Sequence, residues 1–283
     1  MKFRHSDLLR CPMDQQALRE DGGRLCCDNG HSFDIARQGY VNLLGARDKR
    51  SRDPGDSKAM VSARRDFLDG GHYLPVAQTL AEMVAPLLHD EAVIADAGCG
   101  EGYYLQQLRE QMASTRAATP TMIGFDISKW AVQAATQRLD ATWLVASNRN
   151  IPLAPGSVDC LLSLFGFPVF GAFNTVLKPG GTLLCVTAGP RHLIELREIL
   201  YPSVKHSEST FLKQALDAGF LQGESSTLEF VTAPLRQRAI NQLLAMTPHL
   251  FRASHEGKVR AASLDRFPVT VQVLFQQLRT RIT

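Results

Sequence analysis

The chain has 283 residues, 45% hydrophobic and 21% charged, enough apolar material for one large core and a small appended module. No apolar run reaches the roughly 18 residues of a membrane span, and the opening MKFRHSDLLRC lacks the apolar centre of a signal peptide, so no membrane partner and a cytoplasmic location are expected. A net charge of +3 is too small to mark a polyanion binder alone, and six cysteines, two of them adjacent, do not make a secreted disulfide framework.

Residues 1–40 are short-patterned and rich in turns, with Asp21-Gly22-Gly23 and Asp28-Asn29-Gly30 reading as reversals between short strands. Cys11-x2-Asp14 is followed twelve residues later by Cys27-x3-His31. That is the spacing of a small zinc site with a carboxylate where a thiolate is expected. Zinc accepts carboxylate oxygen at about the distance of imidazole nitrogen, although losing a soft donor weakens the site. So small a unit needs a metal or a neighbour to hold it together; a metal-free module packed on the rest is the alternative. Cys26, next to Cys27 in a strand, faces the other way and would need a bulge to replace Asp14.

Residues 41–85 read as a basic linker with helices. The stretch RDKRSR at 47–52 and the pair Arg64 and Arg65 concentrate positive charge, as do Arg236 and Arg238 later. Lys49, Arg50, Arg52, Arg64 and Arg65 are candidates for phosphate contacts, with a solvated face as the plain alternative. SKAMVSARRDFL at 57–68 places Met60, Ala63, Phe67 and Leu68 close to one helical face, with Ser57 as N-cap and Asp69-Gly70-Gly71-His72 as the stop. A second helix is expected over 80–88.

Residues 86–283 read as one alpha/beta core. Apolar runs at 92–98, 121–126, 141–147, 158–165 and 182–189 are separated by helix-compatible stretches after the first two and after the fifth, the pattern of a doubly wound, mainly parallel sheet. A helix at 235–246 and an alternating run at 267–275 close the chain. Cys160 and Cys185 lie within apolar runs and read as buried small hydrophobes.

The strongest local signal is VIADAGCGEG at 93–102. An apolar strand ends in Asp96 and runs into Gly98, Gly100 and Gly102, which permit unusual backbone angles and close approach of a ligand to the main chain. The spacing is G-x-G-x-G, not the G-x-G-x-x-G of dinucleotide binders. A second acid, Asp126, ends the next strand, where a carboxylate can accept both ribose hydroxyls of an adenosine ligand. The pair resembles the S-adenosylmethionine site of class I methyltransferases, a Rossmann-like fold. On that resemblance Gly98, Gly100 and Gly102 line the methionine and ribose portions, Asp96 supports the loop and Asp126 binds the ribose. A turn or capping role is the alternative for each acid. LKPGGTLL at 177–184 looks like the turn before the fifth strand of that fold.

Further stretches, HSFDIARQGYVNLL, KRSRDPGDS, ARRDFLDGGHY, CGEGYY, AGPRHLIELREILY and LLAMTPHLFRA, resemble in order those of the RlmA (RrmA) family of large-subunit ribosomal RNA guanine-N1 methyltransferases. The resemblance implies S-adenosylmethionine as cofactor, a 23S rRNA hairpin as partner, a homodimer, and an N-terminal zinc-ribbon-like module that engages RNA. Its Cys-Cys-Cys-His zinc set maps onto Cys11, Asp14, Cys27 and His31, with Asp14 departing from the family. It also implies that Tyr73 and His192, alongside Gly100 and Glu101, lie against the cofactor; from the residues alone, Tyr73 reads as packing and His192 as a helix start.

The expected reaction is methylation of a guanine ring nitrogen, which carries a proton at neutral pH; no base is assigned. Phe165 and Phe167, in SLFGFP after the fourth strand, could stack on guanine or pack in the core. Two other readings compete: a small-molecule methyltransferase whose metal module shields the site, and a non-catalytic RNA-binding protein that keeps the cofactor fold as scaffold.

Overall fold

The computed structural model describes residues 3–45, 51, 53–114, 119–201, 210–247 and 253–282. Near the N-terminus, β1 (Arg19–Asp21), β2 (Arg24–Cys26) and β3 (Ser32–Asp34) form an antiparallel ribbon. Gly22 and Gly23 turn between β1 and β2 with φ of 57° and 86°, angles at which a side chain is strained.

All other strands among the described residues join one eight-stranded sheet. In chain order they are β4 (Val41–Asn42), β5 (Val93–Ala97), β6 (Thr121–Asp126), β7 (Thr142–Val145), β8 (Val158–Leu164), β9 (Leu177–Ala188), β10 (Leu221–Val231) and β11 (Thr270–Arg279). In space they run β10-β11-β9-β8-β5-β6-β7-β4. Pairings from β4 to β9 are parallel, and β11 lies antiparallel between β9 and β10. β5 is buried along its whole length, as a central strand covered on both faces must be, which is why its sequence is a run and not an alternation.

Nine helices are described: α1 (Lys58–Asp69), α2 (Leu74–Val84), α3 (Tyr103–Ser114), α4 (Lys129–Ala135), α5 (Phe170–Val176), α6 (Ile194–Leu200), α7 (Phe211–Asp217), α8 (Gln237–Ala245) and α9 (His255–Ala262). Ser57 caps α1, its hydroxyl accepting from the Met60 amide, and Gly70 ends it. On α1, Val61, Phe67 and Leu68 are buried, whereas Met60 and Ala63 are only partly so. The second helix begins at Leu74, six residues before its expected start, because Pro75 suits a first turn. The Lys178-Pro179-Gly180-Gly181 segment is a bulge inside β9: Val158 pairs with Leu177, and pairing resumes at Cys160 with Thr182. β10 was not expected. Its side chains are mostly exposed, and backbone pairing with β11 supports it at the sheet edge.

The described residues of 41–85, a stretch expected as a basic linker with helices, pack into the large core. Val41 and Asn42 pair with Leu144 and Val145, α1 packs on α8, and α2 on α3. One buried cluster joins Phe67, Tyr73 and Leu80 to Ile94, Leu105 and Trp143. A second joins Leu9, Leu18 and Leu25 of the N-terminal module to Ile123, Phe125 and Leu144. The module therefore shares the core of the sheet it docks on. Backbone hydrogen bonds from Arg10 N to Pro152 O (3.0 Å) and Ala154 N to Leu8 O (2.8 Å) tie the two together. Among the described residues, no helix is long and apolar enough to cross a membrane.

Candidate functional site

Strand order reverses between β5 and β8, leaving a crevice at their carboxyl ends, where ligands settle in open alpha/beta sheets. Asp96 and Asp126 lie near the ends of adjacent strands, with Asp96 in register with Gly124. The loop after β5 bends over β6: Gly98 N and Cys99 N both donate to Phe125 O, at 2.8 and 3.1 Å. Gly98 and Gly100 have φ of 84° and 54°. A methyl placed on Gly98 meets no atom within 4 Å, so the main chain there faces open space. Gly102 differs. Its missing side chain would lie 2.9 Å from Trp143 and 3.1 Å from Ala135, so its lack of a side chain serves packing against α4 and β7.

Asp126 Oδ2 accepts from Gly100 N at 3.0 Å and Oδ1 from Ser128 N at 2.7 Å. Burial raises its pKa, against the pull of those two amides. Asp96 is fully enclosed, and its Oδ1 has no hydrogen-bond partner among the described residues. Burial, with the Asp126 charge adding to it, pushes its carboxyl up to about 8. Two acids around an open glycine turn, one with an orphaned oxygen, suit a ligand bearing hydroxyls and positive charge.

Tyr73 and His192, 119 residues apart, meet at the same end: Tyr73 Oη lies 3.2 Å from His192 Nε2. Phe165 packs its ring 6.3 Å from Tyr73, 6.1 Å from His192 and 6.4 Å from Tyr104. Its φ of 53° is a left-handed conformation costing a non-glycine residue on the order of 1–3 kcal/mol, of the kind that gathers at functional sites. Phe167, two residues on, is 89% exposed, which excludes a core role for it. Asn148 Nδ2 donates to the Phe167 carbonyl at 3.2 Å.

The Glu101 side chain does not join this group. It is buried against Arg138, whose Nε donates to Glu101 Oε2 and whose guanidinium also reaches Asp69 and Gln106, at 2.7 and 3.0 Å. Burial raises the Glu101 pKa, and Arg138 opposes it. With its side chain held by Arg138, Glu101 has its backbone at the glycine turn. Arg138 was not anticipated; no motif marks it.

In the N-terminal module, the ligand atoms of Cys11, Asp14, Cys27 and His31 lie within 4.8 Å of one another. The His31 Nδ1 atom is 3.5 Å from Cys11 Sγ, 3.4 Å from Cys27 Sγ and 3.1 Å from Asp14 Oδ2. For tetrahedral zinc with bonds of about 2.3 Å to sulfur and about 2.0–2.1 Å to nitrogen, the S···N edge is about 3.5 Å, so the donor set fits. Asp14 stays well below the usual carboxylate range: burial opposes its ionisation, and hydrogen bonds, Asn29 foremost at 2.8 Å, outweigh it. Cys26 points away, toward Ser32 Oγ at 3.6 Å, and supplies no ligand. The metal knuckle rests on the loop after β7: Asn150 Nδ2 donates to Pro12 O at 3.1 Å and Gln15 Nε2 to Asn150 Oδ1 at 3.4 Å.

The basic candidates divide. Lys49, Arg50 and Arg52 lie outside the described residues. Arg65 bonds Gln137 at 3.1 Å. Arg64 is partly buried, paired with Asp56 at 2.6 Å, and belongs to the glycine-loop end of the molecule, not to an open basic face. Arg236 and Arg238 pair with Asp265 and Asp66, at 3.6 and 3.2 Å.

This sheet order, with an acid near the end of each of two central strands and a glycine turn between them, defines a class I S-adenosylmethionine-dependent methyltransferase. A methyltransferase-domain family matches residues 94–181, and the RlmA N-terminal zinc-ribbon family matches residues 9–52. A Micromonospora griseorubida protein named as a 23S rRNA (guanine-N(1)-)-methyltransferase is 36% identical over 305 residues, 98% of this chain and 99% of the relative. The 23S rRNA (guanine(748)-N(1))-methyltransferase of Streptomyces fradiae is 37% identical over 196 residues, 68% of this chain and 67% of its own. Among solved structures, the complex between the Haloferax volcanii Trm112 methyltransferase activator and a methyltransferase has a chain of like fold, with a TM-score of 0.50, 18% identity, and coverage of 81% of this chain and 99% of that one. The chain belongs to the RlmA family of 23S rRNA guanine-N1 methyltransferases.

Proposed function

We propose that this protein methylates N1 of a guanine in a hairpin loop of bacterial 23S rRNA, using S-adenosylmethionine, as a cytoplasmic homodimer. The observation that carries the reading is the joining, in one chain with near full-length likeness to a protein so named, of the glycine-loop acids and a zinc-type cluster.

When bound, S-adenosylmethionine supplies a sulfonium methyl already activated for transfer, so the protein's contribution is largely positioning. Asp126 accepts the ribose hydroxyls. Gly98 and Gly100 present main chain to the methionine portion, with Asp96 beneath them, and the backbone of Glu101 and Gly102 completes the turn. Tyr73 and His192 close the side facing the target, where Phe167 offers an exposed face on which an unstacked base rests. Held there, the cofactor would supply its methyl to N1 and depart as S-adenosylhomocysteine, with the N1 proton passing to solvent. Cys11, Asp14, Cys27 and His31 hold zinc and so fix the module that meets the RNA.

The test incubates the purified protein with methyl-labelled S-adenosylmethionine and deproteinised 23S rRNA lacking the modification, then maps reverse-transcription stops and analyses nucleosides by mass. A single stop coinciding with 1-methylguanosine is expected. No transfer, with cofactor binding intact and zinc supplied, overturns the RNA reading in favour of a small-molecule substrate.

A further inference from the structure

Arg64 stands on α1 directly over the cofactor loop. Its Cδ lies 3.8 Å from where a side chain on Gly100 would begin. One terminal nitrogen donates to Asp56 Oδ2 at 2.6 Å and to Met246 O at 3.2 Å. Its Nε is buried with no hydrogen-bond partner among the described residues, an arrangement that native interiors rarely leave standing unless a ligand completes it. Asp56 is itself fixed, since its carbonyl accepts from Ser128 Oγ at 2.7 Å, and the adjoining chain is held by Trp130 Nε1 on Asp53 at 2.8 Å. The stem of Arg64 thus lies against the loop, with its guanidinium braced by Asp56 and Met246 O.

Asp126, Tyr73 and Tyr104 each feel the Arg64 charge, and Asp96 lies beneath the same loop. Asp126 suits the hydroxyls, the ammonium and the sulfonium of S-adenosylmethionine, but its charge repels the carboxylate. A planar guanidinium is the group that matches a carboxylate in both charge and shape.

We propose that Arg64 binds the carboxylate of the methionine portion of S-adenosylmethionine. The inference rests on the cofactor reading of the site. It takes Arg64 out of the set of RNA phosphate contacts and makes it a cofactor residue, with Asp56 as the residue that positions it.

Ligand truncation tests it. S-adenosylhomocysteine carries the amino-acid portion, whereas 5′-methylthioadenosine keeps the adenosine and the sulfur without it. Their dissociation constants are measured by titration calorimetry on the zinc-loaded full chain as wild type, Arg64→Gln and Arg64→Lys, with thermal melts to verify folding. Arg64→Gln is expected to weaken S-adenosylhomocysteine about 10- to 100-fold, the range for a lost charged hydrogen bond, and to leave 5′-methylthioadenosine within about twofold. Arg64→Lys should recover part of the loss, since it keeps the charge without the fork. Equal weakening of both ligands makes Arg64 a structural strut and overturns the assignment, as does no weakening of either. A changed salt slope for RNA binding with cofactor affinity intact returns Arg64 to the phosphate contacts. A wild type that binds neither ligand sinks the cofactor reading itself, an outcome distinct from all of these.

Discussion

Asp96 shows how one residue's surroundings define its chemistry. Enclosed at the end of β5, it holds its proton to about 8, far above an ordinary aspartate. The unfolded chain gives up that proton near pH 4, so between there and about 8 the folded state holds more protons than the unfolded one. Stability of the cofactor-free protein therefore falls as pH rises through that interval. Asp96→Asn has no proton to lose. Its melting temperature should decline less than wild type between pH 6 and 8, by about 2–4 °C for each kcal/mol of penalty removed. Parallel slopes for the two proteins in a thermal scan would contradict the assignment. Glu101, five residues on and equally buried, makes the contrast: burial raises its pKa too, but Arg138 pairs with it, and its side chain serves the scaffold.

At the scale of elements, the loop after β7 is the junction between the two halves of the proposed machinery. Asn150 holds the metal knuckle through Pro12 and Gln15, and two residues earlier Asn148 holds the Phe167 carbonyl. Asn150→Ala removes two neutral hydrogen bonds at a half-buried site, a loss on the order of 1–2 kcal/mol. The expected outcome is a fall in kcat/KM for RNA of about 5- to 30-fold, with the dissociation constant for S-adenosylmethionine unchanged. Steady-state kinetics and calorimetry read the two separately. A matching loss in cofactor affinity would mean that the loop serves the whole fold and not the path from module to base.

At the scale of the molecule, the N-terminal module and the methyltransferase sheet share one buried cluster and are expected to unfold together. Leu9, Leu18 and Leu25 are buried in the cluster that contains Ile123, Phe125 and Leu144, so removal of residues 1–40 would strip one face of the sheet. Zinc chelation should lower the melting temperature while leaving a single transition by calorimetry. Two separated transitions would show that the module melts alone, against the shared core. For the same reason, single ligand variants such as His31→Ala are cleaner probes of the module's role than truncation.

Much of this was legible in the chain itself. The five central strands, the Ser57 cap, the glycine turn, its two acids and the zinc-type spacing are local patterns, set by backbone angles, strand burial and ligand spacing within a few dozen residues. The edge strand β10 was not legible, because backbone pairing supports it and its side chains are mostly exposed; nor was the entry of Val41 and Asn42 into the sheet, because a two-residue strand has no period. Only the tertiary structure could bring Tyr73 to His192 across 119 residues, turn Glu101 away to Arg138 and set Arg64 above Gly100. Such meetings are decided by how helices and loops pack over the sheet, where each side chain takes the partner that offsets its desolvation, a choice that no neighbour in the sequence encodes.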